Sequence, residues 1–277
     1  MRTGAAALLC LARLALPLLA VAALAGCAAR QPVSPRFTYT LKEFQALAAT
    51  LPEEASERAL AEPARFLDLV AGSLASPEGT LLLVDKTHGL ERSWNPADLV
   101  DLPRGTLRLS KDGLRLRSVV LDDLVSMSDA ARADGFTLTV SSAWRSWDTQ
   151  AALRSRALAT QPREQVDREL AAPGHSQHQL GTAIDFGSID DSFAETAAGR
   201  WMAANAWRYG WSLSYPQGRE AETGYRWESW HYRWLGRSAA ALVHEFFGDS
   251  QQRFLEFWAA GEAGLRSKLR VPPGGRG

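Results

Sequence analysis

The sequence predicts a compact α+β domain built on a small antiparallel sheet, with helices flanking it at both ends. Three observations carry that expectation. Helix-period apolar residues dominate residues 37–76 and 237–268. Between them, short strand patterns follow helices without the regular alternation that a parallel βαβ sheet requires. A hydrophobic content of 46% over 277 residues is enough for a sizeable core.

Taken in chain order, Thr40 and Glu43 have capping-box spacing ahead of Leu41, Phe44 and Leu47. A second amphipathic stretch, ERALAEPARFLDLVAGSL, is interrupted or restarted at Pro63, and together they make a helical preface over residues 37–76. The pattern then becomes mixed. LLLVD reads as a short apolar strand, SVVLDDLVSMSDAARADG as a helix closed by Gly135, and FTLTV as a half-buried strand. Ser146 caps SWDTQAALRSRALA, GTAIDF is another strand, and SFAETAAGRWMAANAWRYG is a helix ending before Gly210. WSLSY and YRWESWHYRW look like paired strands, and Leu242, Phe246, Phe254 and Trp258 mark the last helical region.

The first 26 residues read as a targeting segment: Arg2 and Arg13 precede the apolar run LALPLLAVAA, which ends in LAGC. Ala25 and Gly26 before Cys27 resemble a bacterial lipobox, which implies acylation of Cys27, export, and a membrane-anchored location in the cell envelope. Residues 27–36, with two prolines, read as a tether. Cys10 lies in the leader, so the mature chain has no thiol free for catalysis and no partner for an internal disulfide. The 31 basic and 31 acidic residues balance without a long run of either sign, which argues against nucleic acid as a partner.

Three of the five histidines fall in two polar clusters, PGHSQHQLGTAID and WESWHYRW, which also hold Asp185 and Glu228. A hydrolytic zinc site needs three His or carboxylate ligands, an open position for water and a carboxylate that accepts a proton without binding the metal. The two clusters contain one such set. Glu228 stands three residues before His231, so in a regular strand the two would face opposite ways unless the backbone twists or bulges between them. Spacing alone does not decide between a site and ordinary strand residues.

The motifs Ser176-x-His178-x-x-Gly181-x-Ala183-x-Asp185 and Glu228-x-Trp230-His231 resemble the two signatures of the VanY-like D-alanyl-D-alanine carboxypeptidases, zinc metallopeptidases related to the D,D-dipeptidases. LLLVDKTH, the Met127 helix, SSAWRSWDTQ, NAWRYGWSLSYPQG, TGYRW and Trp234-Leu235-Gly236 follow the same order, so the likeness spans residues 80–236. It implies a zinc carboxypeptidase domain over residues 77–236 with its zinc site on the sheet, followed by a helical extension and tail over 237–277. It further implies that His178, Asp185 and His231 bind zinc and that Glu228 is the catalytic base. Arg145 matches the arginine facing the substrate, with Gln150 and Ser176 as hydrogen-bonding partners of a terminal carboxylate.

The implied activity is removal of terminal D-alanine from peptidoglycan stem peptides. Alternatives are L,D-carboxypeptidase or D,D-dipeptidase chemistry on the same substrate class, or a non-catalytic wall-binding lipoprotein. Departures from the common pattern are Trp144 in place of tyrosine, Gln177 in place of glutamate and Gly89 in place of proline. His175 is expected to organise the loop, His88 and His244 to pack or face solvent, and one of Trp144, Trp147, Trp227 and Trp230 to line the peptide groove.

Overall fold

The computed structural model describes residues 32–270. The leader and Cys27 therefore lie outside the described residues. Two apolar cores organise the molecule.

The first core joins the two ends of the chain. Helices α1 (Leu41–Ala48), α2 (Glu53–Ala61) and α3 (Pro63–Ser73) pack with the two C-terminal helices. Thr40 Oγ1 accepts from Glu43 N–H while the Glu43 carboxylate accepts from Thr40 N–H, completing the expected capping box on α1. Pro63 starts α3, where its missing N–H has no helical partner to lose. Phe66 is fully buried and meets Phe44, Phe246 and Phe257 at centroid distances of 6.1, 5.3 and 6.3 Å. Phe37 bridges to Leu269, and Val33 N–H donates to Tyr39 O, so the end of the expected tether already lies against this body.

The second core lies under the sheet. Strands β1 (Leu99–Asp101) and β3 (Arg115–Arg117) form an antiparallel pair apart from it. The main sheet contains β2 (Arg108–Leu109), β4 (Thr139–Ser142), β5 (Ala183–Phe186), β6 (Trp211–Leu213) and β7 (His231–Trp234) in the order β2-β4-β5-β7-β6. It is antiparallel except for β2, which joins β4 in parallel at one edge. Helix α4 (Leu121–Ala133) covers one face through Leu124 and Met127, which meet Val140, Ile184, Phe186 and Tyr232 in one cluster.

Helix α5 (Trp147–Leu158) is capped by Ser146, whose hydroxyl accepts from Thr149 N–H, and is followed by α6 (Arg163–Glu169) and α7 (Ala197–Asn205). A single turn, α8 (Glu220–Thr223), precedes β7. The C-terminal region is two helices rather than one, α9 (Arg237–Phe246) and α10 (Gln251–Lys268), because Gly248 and Asp249 take left-handed backbone at φ 57° and 58°.

The LLLVD segment does not form a strand. Leu81 and Val84 are buried while Leu82 is exposed, and the carbonyls of Thr80 and Leu82 accept from the Arg233 guanidinium instead of pairing with a neighbouring strand. A run of apolar residues does not by itself supply the neighbouring strand that a ladder needs.

Candidate metal centre and active site

Strand alternation and register assemble the site. On β5, Ile184 and Phe186 enter the core, so Asp185 faces the opposite side of the sheet. Asp185 pairs directly with His231 on β7, which puts both side chains on that face as cross-strand neighbours. His178 arrives from a short 3-10 turn, Gln177–Leu180, just ahead of β5. Gly181 ends that turn at φ +72°, where a Cβ would lie 3.0 Å from Arg117 Cγ and 3.1 Å from Leu99 Cδ2. Only glycine meets both the backbone angle and the close approach without displacing a neighbour.

His178 Nε2 lies 3.2 Å from one Asp185 oxygen, and His231 Nδ1 lies 3.0 Å from the other. All three residues are buried, with one potential ligand atom from each lying within 4.8 Å of the others. His178 Nδ1 stands 2.7 Å from the Ala143 carbonyl, which accepts its proton and leaves the Nε2 lone pair directed at Asp185. His231 Nε2 faces Gln177 Oε1 at 3.3 Å, which leaves Nδ1 as the inward lone pair by the same logic.

Three lone-pair-bearing groups thus converge, an arrangement that a cation satisfies. Tetrahedral zinc at about 2.0–2.2 Å from each ligand sets ligand atoms roughly 3.3–3.6 Å apart. The observed 3.0 and 3.2 Å separations are close to that spacing, so the residues fit a zinc ion. Burial pushes the Asp185 carboxyl up, but the two imidazoles outweigh it and hold the group well below its ordinary range. His178 is lowered, first by burial.

Glu228 lies ahead of β7 rather than on it. His231 N–H donates to Glu228 O at 3.3 Å, closing a turn that folds the Glu228 side chain back to within 3.8 Å of His231 Nδ1. The opposite-face objection is therefore removed by a turn, not a bulge, and the YRWESWHYRW strand is shortened to its last four residues. Burial pushes the Glu228 carboxyl up to about 7, with His231 acting against it and Asp185 adding to it. A carboxyl in that range exchanges protons readily near neutrality.

These groups form the floor of a cleft of about 540 Å³ that Arg145, Gln150, Ser176, Tyr215, Tyr225 and Trp230 also line. Arg145 Nη1 donates to Gln150 Oε1 at 2.7 Å, and its Nη2 donates to Ser142 Oγ at 3.2 Å. Gln150 Nε2 donates in turn to Ala171 O at 2.7 Å. Gln150 therefore braces the Arg145 guanidinium from the cleft wall. Ser176 is buried in the cleft wall.

Of the four tryptophans considered for the groove, Trp230 lines it. Trp144 carries Arg115 on its ring, and Trp147 carries Arg92. His175 is outside the ligand set: its Nδ1 bonds to Asp85 O at 2.7 Å and its ring packs against Gly89. A proline in place of Gly89 would crowd that ring, since even a Cβ would come within 2.9 Å of it. His88 bonds to Asp85, and His244 stacks on Trp207. The wall residues Tyr215 and Tyr225 were not singled out from sequence. Each sits next to a motif of ordinary composition, with no partner at a fixed spacing to mark it.

Sheet, buried His/Asp/His triad and adjacent raised carboxyl together define a metallopeptidase type of centre. The family profile described as VanY, D-alanyl-D-alanine carboxypeptidase, matches residues 113–237. YodJ of Bacillus subtilis (strain 168) is 32% identical over 181 residues, covering 62% of this chain and 66% of that protein, just short of two thirds of its length. The solved LdcB LD-carboxypeptidase is 30% identical with a TM-score of 0.58, over 63% of this chain and 84% of that one. A VanY D,D-pentapeptidase mutant solved in complex with Zn(II) is 28% identical with a TM-score of 0.54, over 64% of this chain and 99% of that one. The chain belongs to the VanY D-alanyl-D-alanine carboxypeptidase family.

Proposed function

We propose that this protein is a zinc-dependent D-alanyl-D-alanine carboxypeptidase that trims terminal D-alanine from peptidoglycan stem peptides. The supporting observation is the buried convergence of His178, Asp185 and His231, with the raised Glu228 carboxyl beside it in an open cleft. His178, Asp185 and His231 would hold zinc, which would supply Lewis-acid chemistry and acidify water at this site. Glu228 takes the proton of the attacking water on its carboxylate and returns it to the leaving amine. Arg145 receives negative charge, either the oxyanion or the terminal carboxylate of the substrate. Gln150 and Ser142 fix its direction. Ser176 offers a hydroxyl to the same carboxylate.

L,D-carboxypeptidase activity on tetrapeptide stems is a second reading, favoured by the 30% identity to the LdcB LD-carboxypeptidase. Incubating the zinc-loaded protein with defined pentapeptide, tetrapeptide and cross-linked muropeptides, and weighing the products, separates them. Loss of one alanine from pentapeptide alone supports the first reading. Loss from tetrapeptide alone supports the second, and no product from any of them rejects both.

The LAGC sequence supports a further part of the proposal, acylation of Cys27 after export, which places the domain at a membrane of the cell envelope. Among the described residues no helix is long and apolar enough to cross a membrane. Cys27→Ser is expected to release the protein into the soluble fraction. Persistence on membranes after a high-salt wash argues against this anchor.

A further inference from the structure

The first turn of α10 opens with two glutamines, and both are buried: Gln251 is 1% exposed and Gln252 is 9% exposed. Burying an amide is costly unless each of its ends is hydrogen-bonded, so their partners define what they do. Gln252 donates to the Asp85 carboxylate at 2.8 Å and to Glu256 at 2.9 Å, and so ties the helix to the loop over residues 85–88. Gln251 points elsewhere. Its Nε2 donates to Ser212 O at 3.3 Å and Ser214 Oγ at 3.2 Å, and its Oε1 accepts from Gln177 Nε2 at 3.3 Å.

Those bonds fix the direction of Gln177. With its Nε2 given to Gln251, the Gln177 carbonyl must face the other way, where it accepts from Ser214 Oγ at 2.7 Å and meets His231 Nε2 at 3.3 Å. His231 Nε2 must then carry the proton, and the Nδ1 lone pair faces Asp185. We propose that Gln251, on a C-terminal helix beyond the segment matched by the family, is a positioning residue that sets the tautomer and ring angle of the metal ligand His231 by way of Gln177. This inference rests on the zinc reading of the site.

The same logic accounts for Gln177, where glutamate is the commoner residue. A glutamate would turn an acceptor oxygen toward Gln251 Oε1 and leave both without a proton between them. Positions 177 and 251 thus form a matched amide pair. The Gly248-Asp249 turn and the Ser250 cap, whose hydroxyl accepts from Arg253 N–H and donates to Glu222, hold α10 at the one start point that permits the contact.

The test measures zinc affinity of the full chain by competition with a chromophoric chelator, alongside thermal melts of the metal-free forms. Gln251→Met keeps the side-chain length without the amide. It is expected to weaken zinc binding about tenfold to a hundredfold, the range found for outer partners of ligating histidines. Gln177→Met is expected to do the same, and the double variant to lose no more than the larger single loss, because both act on one contact. Gln252→Met is the control on the same helical turn: it should lower the melting temperature and leave zinc affinity within about twofold, since its bonds lead to Asp85 rather than to His231.

Should Gln251→Met not fold, Gln251→Glu keeps the shape and the acceptor for Gln177 but loses both donors, and a severalfold weakening is expected. Unchanged zinc affinity in the folded Gln251 variants overturns the inference, as do losses that multiply in the double variant. Equal weakening by Gln252→Met also overturns it, by showing that helix docking in general is what zinc senses. No zinc binding by the unsubstituted chain rejects the metal reading itself, whereas tight binding that ignores position 251 rejects only this inference.

Discussion

The helical body and the sheet half bury their residues for different ends. The body's core is Phe44, Phe66, Leu67, Val70, Leu242, Phe254 and similar side chains, whose burial is favourable without further conditions. The sheet half has its own apolar layer, but its other face buries His178, Asp185, Glu228, His231 and Arg233. Arg233 is the extreme case: fully buried, it gives Nη2 to two carbonyls while Nε and Nη1 find no partner among the described residues, and burial lowers its pKa to about 9. Groups of this kind lose solvation and recover it only through specific partners. Stability should therefore be concentrated in one half and chemistry in the other, and substitutions can pull the two apart.

The largest effect is expected at Glu228. Glu228→Ala should retain zinc and lower turnover by about a hundredfold to ten-thousandfold, the usual worth of a positioned proton-transfer group. His178→Ala or His231→Ala should lose zinc as well, which metal analysis after gel filtration would reveal. Full turnover by a zinc-loaded Glu228→Ala protein would remove the proposed base.

Phe66→Ala is the converse. The ring is fully buried among Phe44, Phe246 and Phe257, so its removal should cost about 3–5 kcal/mol in denaturant unfolding. At temperatures where the variant is folded, zinc affinity should be unchanged. A large loss of zinc affinity in the folded variant would mean that the two halves are not separable in this way.

A third substitution sharpens the comparison within the cleft. A guanidinium offers paired donors and a permanent charge, so a free terminal carboxylate gains a contact at Arg145 that an internal amide lacks. Free-acid and amidated forms of one D-Ala-D-Ala peptide should differ in turnover by tens- to a thousandfold, roughly 2–4 kcal/mol. Arg145→Lys should narrow that gap. Equal loss of rate on both peptides would assign Arg145 to the oxyanion instead.

The two halves also differed in how far they could be read from sequence. Local signals were legible: the Thr40–Glu43 box, the Ser146 cap, Pro63 at a helix start, and the β5 and β7 strands all depend on neighbours within a few residues. His178, Asp185, Glu228 and His231 were legible through motif resemblance, and the structure brings all four together. What escaped was non-local. The missing ladder at LLLVD depends on Arg233, about 150 positions away, whose guanidinium takes the Thr80 and Leu82 carbonyls. The joining of the chain's two ends is carried by Phe66 meeting Phe246, which no window of sequence contains.

Asp85 lies where the halves meet, and the smallest effect is expected there. Its carboxylate accepts from Thr87 N–H, His88 N–H and Gln252 Nε2, each at 2.8 Å, and from the His88 ring at 3.0 Å. Burial pushes the carboxyl up, but these bonds outweigh it and bring the group down to about 2. An unfolded aspartate titrates near 3.9, so as pH falls the unfolded chain takes up this proton first. The stabilisation from Asp85 is thus fully present above about pH 4 and disappears between roughly pH 4 and pH 2. Asp85→Asn cannot titrate and replaces an acceptor with an amide donor facing N–H groups. At pH 7 it should cost about 1–2 kcal/mol, less than Phe66→Ala, and its deficit should shrink as pH falls through that window. Denaturant midpoints of the metal-free proteins at pH 7, 4, 3 and 2.5 test this, with chelator present so that zinc release does not contribute. Curves that converge toward the acid end place the titration at Asp85, whereas curves that stay parallel down to pH 2.5 mean that its proton is not what the folded joint senses.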